Sequence, residues 1–321
     1  MSAAVRRRSA LDQQVRDAEQ ATYEHFGITA RERYIGVDTG CGRCSVRLTE
    51  IGQDRGGTPL LLLHGVGSAT VLTASLLPGL AHRRVIAVDW PGHGLSGPCV
   101  LPAGLDLRMH AVTTIASVLD DLDAESADLV GHSLGAQFAL YAAHDLRPRV
   151  HRVITLGAPG AALAGVRPVA MMKALALPGV GSRLLALPMS RRTFDRTQEL
   201  LLGAGAFDAS PAALTEALHL IAGLRGNAAS IASFFRALIR AGSVRSGVHL
   251  PAVDLGRIQQ PILAVWGDRD VFMTPAAAAS SIVALRNVHL LRLPTAGHAP
   301  WLGAESLVGP AIARHLDGPD A

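Results

Sequence analysis

Several short runs of this chain are apolar at almost every position: 59–63 (Pro-Leu-Leu-Leu-Leu), 85–88 (Val-Ile-Ala-Val), 127–130 (Ala-Asp-Leu-Val) and 261–266 (Pro-Ile-Leu-Ala-Val-Trp). A strand with one face in water alternates apolar and polar residues, so runs without alternation require a sheet covered on both faces. Segments with helical periodicity at 69–77, 108–122 and 134–144 separate these runs, and such alternation builds a mostly parallel sheet between two layers of helices. The composition can fill that fold, because 49% of the 321 residues are hydrophobic, 17% are charged and mean hydropathy is +0.28, values that exclude a disordered chain. A single core stops growing at roughly 250–300 residues, so the length fits one large core carrying an insertion.

Residues 1–30 carry a helical pattern (Leu11, Val15, Ala18, Ala21) and predict an N-terminal helix packed on the main body, with no visible chemistry. From Arg33 the pattern becomes β, with runs at 34–37 and 45–49 around a glycine-rich turn at 39–42, which together read as a hairpin. After a strand at 152–156 a long helix-like stretch intervenes before 261–266 resumes the strand pattern, and that stretch reads as an inserted helical cap. A last strand at 288–293 leads to a closing helix near 305–315. The expected division is a helical extension at 1–32, a first core part at 33–160, the cap at 161–255 and a second core part at 256–321.

Charge and cysteine usage exclude several functions. The formal net charge is +4, Lys173 is the sole lysine, and the one tight basic cluster, Arg6, Arg7 and Arg8, is followed by polar sequence rather than an apolar stretch, so no secretory signal is expected. The other cations are interspersed with acids along the sequence, which argues against a nucleic-acid partner. No segment reaches the ~18 uninterrupted apolar residues of a membrane span. The odd count of cysteines, Cys41, Cys44 and Cys99, lacks framework spacing and fits a reducing compartment, with the cytoplasm as the expected location. Cys41-Gly-Arg-Cys44 has no second ligand pair for zinc and sits in a hairpin turn rather than at a helix start, so it reads as coincidence. The loop at 64–67 lacks the Lys-Ser/Thr of a phosphate loop, and neither a metal nor a nucleotide cofactor is expected.

The chemistry concentrates in Gly131-His132-Ser133-Leu134-Gly135, which lies directly after an apolar strand and directly before a helix. A serine in so tight a strand-to-helix turn is strained and its neighbours two positions away must be small, which glycine satisfies on both sides. A serine hydroxyl attacks well only when a base removes its proton and an acid orients that base. Both types follow later, in Trp266-Gly267-Asp268-Arg269-Asp270 and in Gly297-His298-Ala299-Pro300, giving the chain order Ser, Asp, His.

On these motifs the chain resembles the α/β-hydrolase fold superfamily, in the capped branch of esterases and C–C hydrolases, over essentially everything after Arg33. The resemblance implies a mostly parallel eight-stranded sheet covered by helices on both faces, with an inserted helical cap. It implies a triad of Ser133, Asp270 and His298, in which Asp270 occupies the acid position of a Gly-x-x-Asp loop and Asp268 is the rival. The oxyanion donors implied are the backbone N–H of Leu134 and that of Val66 in the loop His64-Gly65-Val66-Gly67, with Gly67 as the alternative. Asp89-Trp90-Pro91-Gly92-His93-Gly94-Leu95-Ser96 resembles a further family loop, in which His93 is expected to be structural, as is His132.

A serine rather than an aspartate at 133 argues against a haloalkane dehalogenase or the usual epoxide hydrolase. The expected reaction is cleavage of an ester, thioester or lactone of a small apolar substrate through an acyl-enzyme. The alternatives are a C–C hydrolase or lyase of the same fold, and a non-catalytic receptor-like ligand binder. Apolar residues of the insertion, Met171, Met172, Leu184, Phe194, Phe207, Leu218, Phe234 and Phe235, are divided by the sequence alone neither to core nor to pocket.

Overall fold

The computed structural model describes residues 3–53 and 56–318, with side chains from residue 10 onward; the side chains of Arg6, Arg7 and Arg8 lie outside the described residues. After helix α1 (Ala3–His25), the hairpin strands β1 (Ala30–Asp38) and β2 (Arg43–Ile51) lead into β3 (Leu60–Leu63), β4 (Val85–Val88), α2 (Leu107–Asp121), β5 (Ala127–His132), α3 (Leu134–Asp145) and β6 (Val150–Leu156). The insertion holds α4 (Ala170–Leu175), α5 (Val180–Ala186), α6 (Arg191–Leu202), α7 (Ala212–Ala222), α8 (Ala228–Leu238), a two-residue ribbon of β7 (Ile239–Arg240) and β8 (Ser243–Val244), and α9 (Ala252–Leu255). The chain then returns through β9 (Ile262–Gly267), α10 (Ala279–Ala284), β10 (Val288–Leu293) and α11 (Glu305–Asp317).

Eight strands form one sheet in the order β1-β2-β4-β3-β5-β6-β9-β10. The two junctions made by β2 are antiparallel and every other neighbouring pair is parallel. The unbroken apolar runs have the cause inferred from them. Leu61 and Leu63 of β3 enter one core with Ile86, Val88 and Leu129, while Leu60 and Leu62 enter the opposite core with Val85, Ala87 and Val130. Successive strand residues point to opposite faces, so a strand buried on both sides has no position left for a polar residue. Helices α2 and α3 cover the first face, and α1, α11 and a 3₁₀ stretch over Thr70–Gly79 cover the second.

Three local readings change. The segment at 69–77 is 3₁₀ rather than α, with i→i+3 bonds such as Leu80 N–H to Leu77 O at 2.9 Å; Pro78 inside it has no N–H to give an α-helical ladder. Strand β1 begins at Ala30, three residues before Arg33, because it pairs with β2 along its whole length. The cations spread along the sequence are partly gathered in space, since Lys173, Arg236, Arg240 and Arg245 line one cleft where α8 runs into the ribbon. Among the described residues no helix is long and apolar enough to cross a membrane.

Polar groups in the core hold the site's loops. Arg47 on β2 reaches Glu19 of α1 at 2.5 Å and Asp89 at 3.3 Å, all three side chains being buried, so α1 is tied to the sheet by charge as well as by packing. Breaking a buried pair by removing one partner costs about 3–5 kcal/mol. Asp89 also accepts the Leu95 N–H at 3.2 Å and the Thr70 hydroxyl at 3.2 Å, which fixes the loop after β4. In that loop His93 packs edge-on to Phe234 at 4.9 Å. Burial, with the neighbouring His64, pushes His93 down to about 3, and burial also lowers His64, His110 and His132.

A histidine kept neutral in the fold takes up a proton on unfolding at any pH below roughly 6.5. The stability these four contribute is therefore full above that pH and is lost as pH falls from there, for His93 toward about 3, at about 1.4 kcal/mol per pH unit while a group stays neutral in the fold. Thermal unfolding followed by circular dichroism should give a level midpoint between pH 7 and 8 and a steep fall below pH 6. A midpoint unchanged down to pH 4.5 would contradict the neutral assignment.

Candidate active site

Strand β5 ends at His132 and α3 begins at Leu134, so Ser133 alone makes the turn, at φ 54° and ψ −116°. A non-glycine residue with positive φ carries strain that the surroundings must impose. They do so through close approach: a Cβ on Gly135 would stand 2.0 Å from the Leu63 carbonyl oxygen, and one on Gly131 would stand 2.4 Å from the Ala136 nitrogen. The turn is thus as tight as its two glycines permit, and Ser133 is half-buried between fully buried neighbours.

The loop after β9 brings Asp270, not Asp268, to the histidine. His298 Nδ1–H donates to Asp270 Oδ2 at 2.8 Å, and both side chains are buried. Asp270 Oδ2 also accepts the Ala158 N–H at 2.8 Å, and Oδ1 accepts the Phe272 N–H at 3.0 Å. Burial alone would raise this carboxyl; the His298 ring and the two backbone amides outweigh it and hold Asp270 below the ordinary aspartate range. Asp268 instead forms a two-pronged pair with Arg292 at 2.9 and 3.0 Å near the surface. His298 Nε2 is buried and has no hydrogen-bond partner among the described residues, and its ring lines the same cavity as Ser133.

Leu134 opens α3, so its N–H has no intrahelical acceptor. Across the cavity, Val66 and Gly67 follow His64, whose own bonds define its tautomer. Trp90 N–H donates to His64 Nε2 at 3.0 Å, leaving the proton on Nδ1, which donates to the Gly65 carbonyl at 2.7 Å. That carbonyl also accepts the Ser68 N–H at 3.2 Å. Because the Gly65–Val66 peptide is trans, anchoring its oxygen turns the Val66 N–H the other way. His132 is held outside this arrangement: its Nε2–H donates to the His298 backbone carbonyl at 3.1 Å, and burial followed by the charge of His298 drives its pKa well down.

The cavity over Ser133 has a volume of about 170 Å³ and is roofed by α4, α6, α7 and α8. Of the eight apolar residues singled out in the insertion, Met171, Met172, Phe194, Leu218 and Phe235 line it. Phe234 instead packs in the core against His93 and Phe138, Leu184 is exposed, and Phe207 packs at the edge of the second core. Among the described residues no Asp, Glu, Lys or Arg lines the cavity; Ser68 and Gln198 are its polar side chains apart from the serine and histidines already named. Sequence reading missed Phe272, whose ring stands 4.4 Å from His298, the Ala158 amide on Asp270, and Gln198. None stands in a recognisable motif: Ala158 follows the neighbouring strand β6, Gln198 lies on α6 of the insertion, and Phe272 shares the loop of Asp270.

A family profile described as the alpha/beta hydrolase family matches residues 60–308. The chain is 31% identical over 282 residues to the dihydrolipoyllysine-residue acetyltransferase component of the acetoin cleaving system of Pseudomonas putida, covering 84% of this chain and 66% of that protein. It is 34% identical over 131 residues to a 2-hydroxy-6-oxo-2,4-heptadienoate hydrolase of Pseudomonas putida, covering 39% of this chain and 45% of the relative. The chain thus spans less than two thirds of either relative's length. The fold resembles that of carboxylesterase CesB from Bacillus subtilis, with a TM-score of 0.73, 18% identity and coverage of 96% and 98% of the two chains. It also resembles the 2-hydroxy-6-oxo-6-phenylhexa-2,4-dienoate hydrolase of Rhodococcus sp. strain RHA1, with a TM-score of 0.69, 19% identity and coverage of 91% and 100%. With a buried Asp–His pair and a serine on a strained turn set around one cavity of an eight-stranded sheet, and with the profile spanning most of its length, the chain belongs to the alpha/beta hydrolase family.

Proposed function

We propose that the protein is a serine hydrolase cleaving uncharged carboxylic esters of small apolar acids through an acyl-enzyme. In this reading the helices of the insertion form a cap over the substrate, and no cofactor takes part. His298 Nε2 accepts the proton of Ser133 Oγ as that oxygen attacks the ester carbonyl carbon. Asp270 keeps the imidazole in the Nδ1–H form and stabilises the imidazolium that results. The oxyanion is received by the N–H groups of Leu134 and Val66, each donor of this kind being worth about 10²–10³ in rate. His64, by anchoring the Gly65 carbonyl, acts as a positioning residue for the Val66 donor. His298 then passes its proton to the leaving alkoxide oxygen. Water, deprotonated in turn by Nε2, attacks the acyl carbon, the C–Oγ bond breaks, and Nε2 returns the proton to Ser133 Oγ as the acid leaves.

The observation that carries the choice of substrate is that no Asp, Glu, Lys or Arg among the described residues lines the cavity. Dienoates of the kind named for the Pseudomonas putida relative carry a carboxylate, and burying one without a counter-charge costs several kcal/mol. A neutral ester has no such cost. The test compares kcat/KM for p-nitrophenyl butanoate with that for a 2-hydroxy-6-oxo-dienoate, and for a dicarboxylic acid half-methyl ester with its dimethyl ester. Turnover of the neutral member of each pair should exceed that of the anion by about 100-fold, as roughly 3 kcal/mol of desolvation implies. Faster cleavage of the dienoate would replace ester hydrolysis by C–C hydrolysis.

A further inference from the structure

The chain contains three cysteines, and the fold brings all of them together although Cys99 lies 58 residues beyond Cys41. Cys41 and Cys44 come from the turn and the second strand of the β1–β2 hairpin, and Cys99 from the end of the loop after β4. The Cys41 and Cys99 sulfurs stand 3.5 Å apart. The Thr39 hydroxyl lies among all three, at 3.0 Å from Cys41 Sγ, 3.8 Å from Cys99 Sγ and 3.9 Å from Cys44 Sγ. That hydroxyl donates its own proton to the Gly42 carbonyl at 2.8 Å, so it turns lone pairs toward the thiols and accepts from them. Cys41 and Cys44 are half-buried while Cys99 is buried, so two reachable thiols neighbour one protected thiol, and Cys41 has its sulfur 3.5 Å from that of Cys99. The spacing that looked accidental in the hairpin gains its partner only in the folded chain.

We infer that Cys41 and Cys99 form an oxidisable dithiol site that reacts with hydroperoxides. The Cys41 thiolate attacks one peroxide oxygen, the O–O bond breaks, and the products are Cys41 sulfenic acid and, for hydrogen peroxide, hydroxide that is protonated to water. The Cys99 sulfur then attacks the sulfenic sulfur, the S–O bond breaks, and a second water leaves. In sum two thiols are oxidised to one disulfide and one peroxide is reduced to two waters. Burial and the two neighbouring thiols raise the Cys99 pKa, which suits a residue that waits for an activated sulfur rather than attacking peroxide itself.

The bond would fasten the hairpin turn to a segment that already holds the insertion. The Cys99 N–H donates to Ser230 Oγ at 3.0 Å and the Leu101 N–H to Ser233 Oγ at 2.9 Å, both hydroxyls on α8. Helix α8 also carries Phe235 and Leu238 of the cavity wall.

The full chain, oxidised with stoichiometric hydrogen peroxide, blocked with iodoacetamide and mapped by non-reducing peptide mass spectrometry, should show an intramolecular Cys41–Cys99 link and alkylation at Cys44 alone. Its thermal midpoint should rise by about 5 °C and return with dithiothreitol, the size expected from closing a loop of this length in a chain of this size. Cys44→Ser should behave as the unsubstituted protein. Cys99→Ser should melt as the reduced protein does and gain nothing on oxidation, with Cys41 trapped by dimedone or joined to Cys44. Three alkylated thiols after oxidation, a wild-type link between Cys41 and Cys44, or links only between molecules would each overturn the inference.

Discussion

Replacing Ser133 with alanine should abolish covalent labelling by a fluorophosphonate and lower ester turnover by about 10⁴-fold or more, the scale on which removal of an activated nucleophile acts. Intact-mass spectrometry of both proteins after the probe, with p-nitrophenyl butanoate hydrolysis measured in parallel, reads both effects. The substitution tests chemistry rather than folding, because alanine and serine meet the same constraint at φ 54°, and the thermal midpoint should stay within about a degree. Ser68→Ala supplies the control: this serine lines the same cavity but has no imidazole bonded to an acid beside it, so labelling should persist. An adduct surviving in Ser133→Ala would move the nucleophile elsewhere. A wild-type chain that takes no adduct would favour ligand binding without catalysis.

The second large effect separates two aspartates that stand two positions apart in the sequence. Asp270→Asn should lower kcat/KM by about 10⁴-fold, whereas Asp268→Asn should stay within about twofold. The reason lies in the donors that converge on Asp270. Three N–H groups, from His298, Ala158 and Phe272, reach its two oxygens. Asparagine offers one acceptor and brings two donors of its own, so either the imidazole is forced into the wrong tautomer or a buried amide is left unpaired. The thermal midpoint of Asp270→Asn should also fall by several degrees. Asp268 loses only a surface pair with a half-exposed arginine. Steady-state kinetics and melting curves of the two variants decide the matter, and a strong defect in Asp268→Asn with a mild one in Asp270→Asn would reverse the assignment.

Both aspartates follow the same strand and both precede the histidine in chain order, so order and spacing leave them as rivals. What separates them is where the loop after β9 points each side chain, and that depends on the Ala158 amide beyond β6 and the Phe272 amide, neither of which carries a side-chain signal. The oxyanion loop is similar. His64-Gly65-Val66-Gly67 marks a turn after a strand, but which N–H faces the cavity depends on the bond from His64 Nδ1 to the Gly65 carbonyl and on Trp90 arriving from the next loop. In the insertion, helical periodicity shows which faces are apolar without showing which of those faces pack and which enclose space. Phe234 and Phe235 are adjacent on α8, yet one fills the core and the other lines the cavity.

The sequence by itself determined the doubly covered sheet, because apolar strands without alternation have no other stable environment. It also determined the serine's turn, because glycines at 131 and 135 are the only residues that clear the Leu63 carbonyl and the Ala136 amide. Both are legible in short stretches of sequence, the lack of alternation and the spacing of two glycines, although the carbonyl that Gly135 must clear lies on β3. The tertiary structure alone decided which aspartate meets His298, that the described residues lining the cavity include no Asp, Glu, Lys or Arg, and that Cys99 joins Cys41 and Cys44. Those are contacts between segments far apart in sequence, and their geometry exists only once the strands have set the loops side by side.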